Sequence, residues 1–419
     1  MNEAKVIPYG KGYLEFKDIK DINLEFYFIE PKYPKKKVHL KKEILRTLKN
    51  PIKKSLDRLR CESLSLVIGD DTRPIPYRET IELLISQLSE QGIAQDKIKL
   101  IIGGGLHPPM NASKAKEILG GVYDELEVVI HDSRKKSDLE FLGVTRQNTP
   151  VWINRNYLAS EKRIVVGMID PHQFVGFTGG AKGVSIGIAG YETIEANHSM
   201  MTDKNAKLGV IKNNPVRKDI DEIGKTAGID FILNFVLNKD KEVIRAFAGD
   251  WFLAHRKGVN YLRNLVNVKA PCKTKITIVS PGGYPRDLNV YQAQKALSSA
   301  EVVTEENGVI ILVAKCPEGL GDDIFEETLK KFEDPKEIIN YFENTQFKMG
   351  LHKAYLWART LVKHRVILVS DAIDSKYSDI LKVKIVDSLD EAVKTAKKLQ
   401  KTQKVNVIPY GNFTIPHLK

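Results

Sequence analysis

One stretch of the chain, residues 170–201, concentrates side chains that can do chemistry. It reads DPHQFVGFTGGAKGVSIGIAGYETIEANHSMM and carries His172, Lys182 and His198 among six glycines. Glycine lets the backbone adopt positive φ and approach a ligand closely. Histidine binds metals and carries protons near neutral pH, and lysine can neutralise a phosphate or form a covalent bond. No folding requirement asks for all of these together, so we interpret the stretch as part of an active site.

The same stretch has the length of a phosphate-binding P-loop but not its detail. A P-loop reads G-x-x-x-x-G-K-[ST], and its last hydroxyl serves a magnesium ion. The spacing from Gly176 to Lys182 is right, but Ala181 replaces the second glycine and Gly183 replaces the hydroxyl residue. A glycine-cradled anion is compatible with this loop, whereas a nucleoside triphosphatase of the P-loop type is not.

Strands and helices alternate through the first part of the chain. The apolar segments SLSLVIGDD (63–71), KIKLIIGGG (97–105), LEVVIHD (126–132) and RIVVGMID (163–170) predict buried strands, with loops and amphipathic helices between them. Between residues 203 and 265 the pattern predicts helices with one strand, FILNFVLN. This alternation is typical of an α/β domain with a largely parallel sheet.

A second α/β unit begins at KITIVSPGG (275–283), where a strand again runs into a glycine loop. Two further apolar segments predict strands, and helical patterns cover Glu326–Phe342 and Leu389–Gln400. Because 419 residues exceed one usual hydrophobic core, two domains are expected. We predict domains of residues 1–268 and 269–419, both α/β with largely parallel sheets, and an active-site cleft between them.

Polar residues follow several of the predicted strands directly. Asp70–Arg73, His107 and His172 each come just after a strand. Ligands of parallel sheets bind beyond the carboxyl ends of the strands. The sequence therefore predicts that one crevice could hold all of these side chains.

Composition and charge exclude several classes of protein. No apolar run is long enough to span a bilayer, and the three cysteines are too widely spaced for a disulfide scaffold or a thiolate zinc site. The net charge of +12 allows a nucleic-acid partner. However, the lysine clusters at 35–42 and 397–404 lie far from the glycine loops, and no nucleic-acid-binding motif is present. We expect a cytoplasmic protein with neither a membrane nor a nucleic acid as partner.

Five patches of the chain stand out, namely DDTRP (70–74), GGGLH (103–107), the stretch 170–201, SPGGYP (280–285) and NVYQAQK (289–295). Together they resemble the nickel-pincer lactate racemase family of 2-hydroxyacid racemases and epimerases. The similarity runs through the whole length. Its most specific parts are PHxxxGFxGGxK followed by GIAGxETIxxNH, and the GGYPxDxNxYQxxK run.

The resemblance implies a role for each matching residue. Lys182 would attach the cofactor covalently through a thioamide, and His198 would complete the coordination of its nickel. The cofactor would be pyridinium-3-thioamide-5-thiocarboxylic acid mononucleotide with nickel, loaded by its own biosynthetic enzymes as partners. His107 and His172 would be the two catalytic bases. The remaining implied contacts are Asp70, Thr72, Gly179 and Gly180 to the cofactor, and Arg73, Tyr291, Gln292 and Lys295 to the substrate.

The residue types suit this chemistry on their own terms. Inversion of a carbon that bears hydrogen and hydroxyl needs an acceptor for the hydrogen and a base for the hydroxyl proton. Each enantiomer needs its own base, which accounts for two histidines. A cofactor must supply the hydride acceptor, since no protein side chain can. Arginine and lysine can then orient the substrate carboxylate.

Departures from the family pattern leave the substrate open. Pro108 stands where the lactate enzymes tend to carry arginine, and Arg286 and Leu288 also depart from the expected residues. We expect a small 2-hydroxyacid, either lactate-like or larger, such as malate, an aryl lactate or a sugar acid. The alternative is a hydrolase or lyase of an anionic small molecule that uses the histidines around a divalent metal. The oligomeric state does not follow from the sequence.

Overall fold

The computed structural model describes residues 5–19 and 23–418, which form two compact units. The central unit comprises residues 33–264, and the terminal unit comprises residues 1–32 together with 265–419. No helix in these described ranges is long and apolar enough to cross a membrane.

The N-terminal strands are β1 (Val6–Tyr9), β2 (Gly12–Glu15) and β3 (Glu25–Phe28). The first two form an antiparallel pair. The third pairs in parallel with residues 404–407 near the other end of the chain. This pairing explains why residues 1–32 group with the terminal unit, whereas the sequence-based division assigned them to the first domain.

The central unit contains a sheet of six strands flanked by helices, and two short strand pairs. Its strands are β4 (Leu64–Gly69), β5 (Ile98–Gly103), β6 (Glu127–Ile130), β7 (Leu139–Val144), β8 (Pro150–Asn154), β9 (Lys162–Met168), β10 (Pro171–His172), β11 (Gly176–Phe177), β12 (Phe231–Leu237) and β13 (Val243–Gly249). The two short pairs are β7–β8 and β10–β11. Its helices are α1 (Leu40–Lys49), α2 (Tyr77–Ser89), α3 (Ala112–Leu119), α4 (Val122–Glu125), α5 (Arg155–Leu158), α6 (Lys182–Ser185), α7 (Tyr191–Ser199), α8 (Pro215–Ala227) and α9 (Trp251–Val266).

The six-stranded sheet has the order β13-β12-β9-β4-β5-β6, and only the β12–β13 pair is antiparallel. From β4 the chain first adds β5 and β6 on one side and then β9 and β12 on the other. The order therefore reverses at β4, and such a switch point is where open α/β sheets bind their ligands. Leu66, Val67 and Ile68 of β4 are all buried, which is the expected pattern for a central parallel strand.

The sequence reading missed β13, since it predicted a single strand between residues 203 and 265. The segment VIRAFAG pairs antiparallel with β12 after a polar turn that contains Lys241 at a positive φ of 66°. Such a short apolar run cannot be told from a buried helical segment by periodicity alone.

The remaining strands of the terminal unit are β14 (Asn267–Lys269), β15 (Thr274–Val279), β16 (Thr304–Val313), β17 (Arg365–Val369), β18 (Lys384–Val386), β19 (Lys404–Ile408) and β20 (Ile415–His417). Six strands of this unit form a parallel sheet of the order β18-β17-β16-β15-β19-β3. Its helices are α10 (Val290–Ala293), α11 (Leu297–Val303), α12 (Asp323–Lys331), α13 (Pro335–Glu343), α14 (Leu351–Lys363), α15 (Tyr377–Leu381) and α16 (Leu389–Leu399).

The helical pattern predicted over Glu326–Phe342 is two helices, α12 and α13, in the structure. Asp334 and Glu337 form a capping box at the start of α13, and Pro335 occupies its first turn. A capping residue followed by proline starts a new helix, because proline needs no hydrogen-bond acceptor in the first turn.

Candidate active site

Asp70 and His107 form a hydrogen-bonded pair at the carboxyl ends of β4 and β5. Asp70 Oδ2 lies 2.5 Å from His107 Nδ1, and Thr72 Oγ1 donates to the other carboxylate oxygen. Burial raises the pKa of Asp70, but the hydrogen bonds from His107 and Thr72 and the charges of His107 and Arg73 outweigh it, so the pKa is lowered. Asp70 is therefore a carboxylate at neutral pH. His107 donates to it from Nδ1, which leaves Nε2 as the nitrogen that can accept a proton.

The glycine loop, residues 177–182, is fastened to three other elements by buried side chains. The backbone N–H of Gly180 donates to Asn234 Oδ1 on β12 at 2.7 Å. Arg217 on α8 donates to two loop carbonyls, at 3.3 and 3.2 Å. His255 on α9 donates from Nε2 to a third carbonyl at 2.8 Å. Sequence reasoning assigned none of these three side chains to the site, although together they fix the loop that carries Lys182.

Asp70 and the glycine loop line the same crevice, at the switch point of the sheet. The walls of this crevice also include Arg73, Gly179 and Lys182, together with the last residue of β5, Gly103, and the two glycines that follow it. The structure thus brings together predicted site residues from three separate stretches of the chain. Thr72 contacts this group through its hydrogen bond to Asp70.

His172 and His198 both pack against the buried ring of Phe174. The ring centroids are 4.7 Å apart for His172 and Phe174 and 5.2 Å apart for Phe174 and His198, and both contacts are edge-to-face. His172 Nδ1 accepts from the backbone N–H groups of Val175 and Phe174, at 3.3 and 3.5 Å. The neutral ring of His172 therefore carries its proton on Nε2 in this arrangement.

His198 has the opposite protonation pattern. Its Nδ1 lies 3.1 Å from Asn197 Oδ1. An amide oxygen only accepts, so Nδ1 donates and Nε2 is the unprotonated nitrogen of the neutral ring. Metal-bound histidines commonly donate their other N–H to a protein oxygen in this way. This ring is therefore suited to bind a metal through Nε2.

A metal site made of protein ligands alone has no support in the described part of the chain. There, no group of three or more His, Cys, Asp or Glu side chains could hold a metal ion.

In the terminal unit, the predicted substrate residues lie on α10 and the turn after it. Lys295 Nζ donates to Gln292 Oε1 at 2.5 Å, and Tyr291 OH donates to Met349 Sδ at 3.6 Å. Lys353, which sequence reasoning missed, places its Nζ 5.5 Å from the Tyr291 ring centroid. Burial and the charge of Lys295 hold the pKa of Lys353 well below its ordinary value. Lys353 therefore gives up its proton more readily than an exposed lysine, because burial and the neighbouring charge of Lys295 both favour its neutral amine.

Two family models match the chain. One describes the lactate racemase N-terminal domain and matches residues 9–209, and the other describes the lactate racemase C-terminal domain and matches residues 269–415. The chain belongs to the lactate racemase family. It is therefore an isomerase, as the resemblance of its motifs predicted.

Similar proteins span almost the whole chain. The lactate racemase of Thermoanaerobacterium thermosaccharolyticum is 33% identical over 417 residues, covering 97% of each chain. That of Lactiplantibacillus plantarum is 34% identical over 377 residues, covering 87% of this chain and 88% of the other. The apoprotein structure of the first enzyme matches with a TM-score of 0.92 at 31% identity, over 99% of this chain and 100% of that one. The predicted fold class, α/β with largely parallel sheets, is confirmed.

Any side chain added at Gly180 is expected to destabilise the folded protein. Its φ is +60°, and a Cβ there would lie 2.7 Å from His255 Cγ. We expect Gly180→Ala to lower the free energy of unfolding by about 2–4 kcal/mol, because left-handed strain and overpacking both contribute. Urea denaturation measures this change.

Gly92→Ala is the matched control for this variant. Gly92 also has a positive φ, of +85°, but nothing lies within 4 Å of its added Cβ. Only the conformational strain applies there, about 1 kcal/mol. Equal losses in both variants would show that the contact with His255 is not a constraint on the loop.

Proposed function

We propose that this protein inverts C2 of a 2-hydroxyacid, lactate-like or larger, with a nickel-pincer nucleotide attached covalently to Lys182. The observation that carries the proposal is the arrangement at the switch point of the central sheet. There Lys182 and Asp70 line one crevice, and Asp70 holds His107 in the form that accepts a proton at Nε2. The lactate racemases named above, at 33% and 34% identity, support the reaction type.

The residues of the central unit fit the cofactor. Lys182 supplies an amine for covalent attachment, and Gly179, with a φ of +81°, allows close approach of the backbone to a bound group. His198 offers a metal ligand at Nε2, while the lack of a further cluster of protein donors in the described ranges leaves the other positions to the cofactor. When bound, the nickel-pincer nucleotide would supply the hydride acceptor for the C2 hydrogen.

The two catalytic histidines would divide the proton transfers at the substrate hydroxyl. The neutral His107 accepts the hydroxyl proton at Nε2, while Asp70 stabilises the imidazolium that results. On the other face, His172 in its protonated form would return a proton to the substrate oxygen from Nε2, and the two histidines would exchange these roles for the reverse reaction. Protonation of Nδ1 would give up its contacts with two backbone N–H groups, which are long at 3.3 and 3.5 Å.

The substrate carboxylate is assigned to cationic and amide side chains. Arg73 can bind a carboxylate with two parallel hydrogen bonds. Gln292 and Lys295, already joined by a hydrogen bond, present a donor set of the same kind, and Tyr291 lies beside them. The buried Lys353, beside the Tyr291 ring, adds an amine to this group whose lowered pKa favours the neutral form.

A panel of 2-hydroxyacids deuterated at C2 tests the proposed function. The enzyme is produced together with the cofactor biosynthetic enzymes, and inversion and deuterium content are followed by chiral chromatography and mass spectrometry. Hydride transfer predicts an inverted product that retains most of its C2 deuterium, because a hydride does not exchange with water. Wholesale replacement by solvent hydrogen would indicate proton abstraction instead. Absence of inversion for every member of the panel, with loaded enzyme, would contradict the proposal.

A further inference from the structure

The side chain of Asn197 is held in one orientation by two acceptors, a backbone carbonyl and a carboxylate oxygen. Asn197 Nδ2 donates to the carbonyl oxygen of Val216 at 3.1 Å and to Asp219 Oδ2 at 2.8 Å. A flipped amide would place its oxygen against both acceptors. The amide oxygen must therefore face His198 Nδ1, and this fixes the histidine as the donor of that hydrogen bond.

Asp219 is itself fixed by hydroxyl donors. It is fully buried and accepts from Thr145 Oγ1 at 2.6 Å and from Thr149 Oγ1 at 3.0 Å. Thr145 Oγ1 accepts from two backbone N–H groups, at 3.2 Å each, so its single hydrogen is directed to Asp219. The network thus has one direction of donation, from the threonines and from Asn197 toward the carboxylate.

We propose that Asp219 and Asn197 are positioning residues for His198. They impose the Nδ1–H form on its ring and so present Nε2 as the metal ligand. This inference rests on the proposed function for the identity of the metal, but the state of the ring can be measured without it. Partners of metal-bound histidines fix the ring orientation and its protonation in this way.

A second asparagine–histidine pair in the chain provides a comparison. There the histidine ring carries its proton on the other nitrogen. Asn154 Oδ1 accepts from the backbone N–H of Asn156 at 2.9 Å, so its Nδ2 faces His131 Nδ1 at 3.0 Å. His131 Nε2 then donates to the carbonyl oxygen of Ala189 at 3.0 Å. His131 is therefore fixed with its proton on Nε2. Burial beside an asparagine does not by itself produce the form that His198 adopts.

Ring ¹⁵N chemical shifts of the full-length apoprotein, labelled in histidine, test the first part of the proposal. At a pH above the histidine titration range, we expect His198 to carry its proton on Nδ1 and His131 to carry it on Nε2. The His198 signal is assigned from its absence in a His198→Gln variant. A wild-type His198 with its proton on Nε2 would overturn the proposal, whatever the cofactor proves to be.

Three variants test the link to the metal. Asn197→Ala removes the acceptor for Nδ1–H, so we expect His198 to shift toward the Nε2–H form and nickel affinity of the loaded protein to fall about 10–100-fold. Asp219→Asn keeps the shape of the side chain but frees the Asn197 amide to rotate, and a smaller shift in the same direction is expected. Asn154→Ala, the matched control, should change the His131 signal alone.

The readouts separate this inference from the proposed function. Nickel per chain is measured after production with the cofactor biosynthetic enzymes and dialysis against a chelator, and circular dichroism checks that each variant folds. Unchanged nickel retention in a folded Asn197→Ala variant would contradict the positioning role. If the wild-type protein holds no nickel but His198 has the expected form, the proposed function fails while the assignment of Asn197 and Asp219 to the ring of His198 stands.

Discussion

Replacement of Lys182 by arginine is expected to give a folded protein with no attached nucleotide and no measurable racemase activity. The proposed bond to the cofactor needs a nucleophilic amine, and an arginine side chain stays protonated at any working pH. Arginine keeps the positive charge at this first residue of α6. If Lys182→Arg loses the attached nucleotide and the activity, the cause is therefore the missing covalent bond and not a weaker electrostatic attraction of a phosphate.

The measurement is intact and peptide mass spectrometry with nickel analysis, on protein produced alongside the cofactor biosynthetic enzymes. The wild-type peptide that contains Lys182 should carry the adduct, with nearly one nickel per chain. Lys212→Arg, a change of the same kind at an exposed lysine of the same unit, should leave both values unchanged. An unmodified Lys182 in the wild-type protein under these conditions would point to a metal enzyme without this cofactor.

The sequence was sufficient to predict which loops of the central unit come together. Asp70 and His107 are separated by 37 residues, but each follows a strand of the same predicted parallel sheet. The carboxyl ends of such strands meet at one edge, so the strand and loop pattern alone places them near each other. Their contact is found in the structure, whereas their catalytic roles remain predictions.

The three side chains that hold the glycine loop in place, those of Asn234, Arg217 and His255, could not be assigned to it from the sequence, because they come from distant parts of the chain. One signal was nevertheless present. Asn234 is the single polar residue inside the apolar run of β12, and it is completely buried. A buried polar side chain needs a hydrogen-bond partner, so the sequence indicated that Asn234 serves some other group but not that the group is Gly180.

The pairing of β3 with residues 404–407 had no comparable signal in the sequence. Its four residues, EFYF, can occupy the edge of either sheet, and only the backbone hydrogen bonds to residues 404–407 decide the choice. Contacts between the two ends of a chain depend on the packing of everything between them. For this reason the predicted division at residues 268 and 269 did not anticipate that β3 pairs with residues 404–407.

Asp70→Asn is expected to lower kcat by about 10²–10⁴-fold in both directions of the reaction, without loss of the attached cofactor. The oxygen of the new amide would remain with the Thr72 hydroxyl, which donates to Oδ1. Its NH₂ group would then face His107 Nδ1 and force this nitrogen to accept. The proton of the neutral ring would move to Nε2, where a base for the substrate hydroxyl is required. Both directions are affected because a racemase uses both of its bases in every turnover.

Asp71→Asn provides the control, since it is the same change at the next residue, where the side chain is exposed. It should retain wild-type kcat. Nickel content and the Lys182 adduct are measured in both variants, so that a loss of turnover can be separated from a loss of loading. The lowered pKa of Asp70 keeps its carboxylate ionised at neutral pH, and the asparagine therefore removes a charge that is present in the working enzyme. A normal kcat in a fully loaded Asp70→Asn variant would contradict the role of His107 as a base oriented by Asp70, and it would shift the proton transfers to His172.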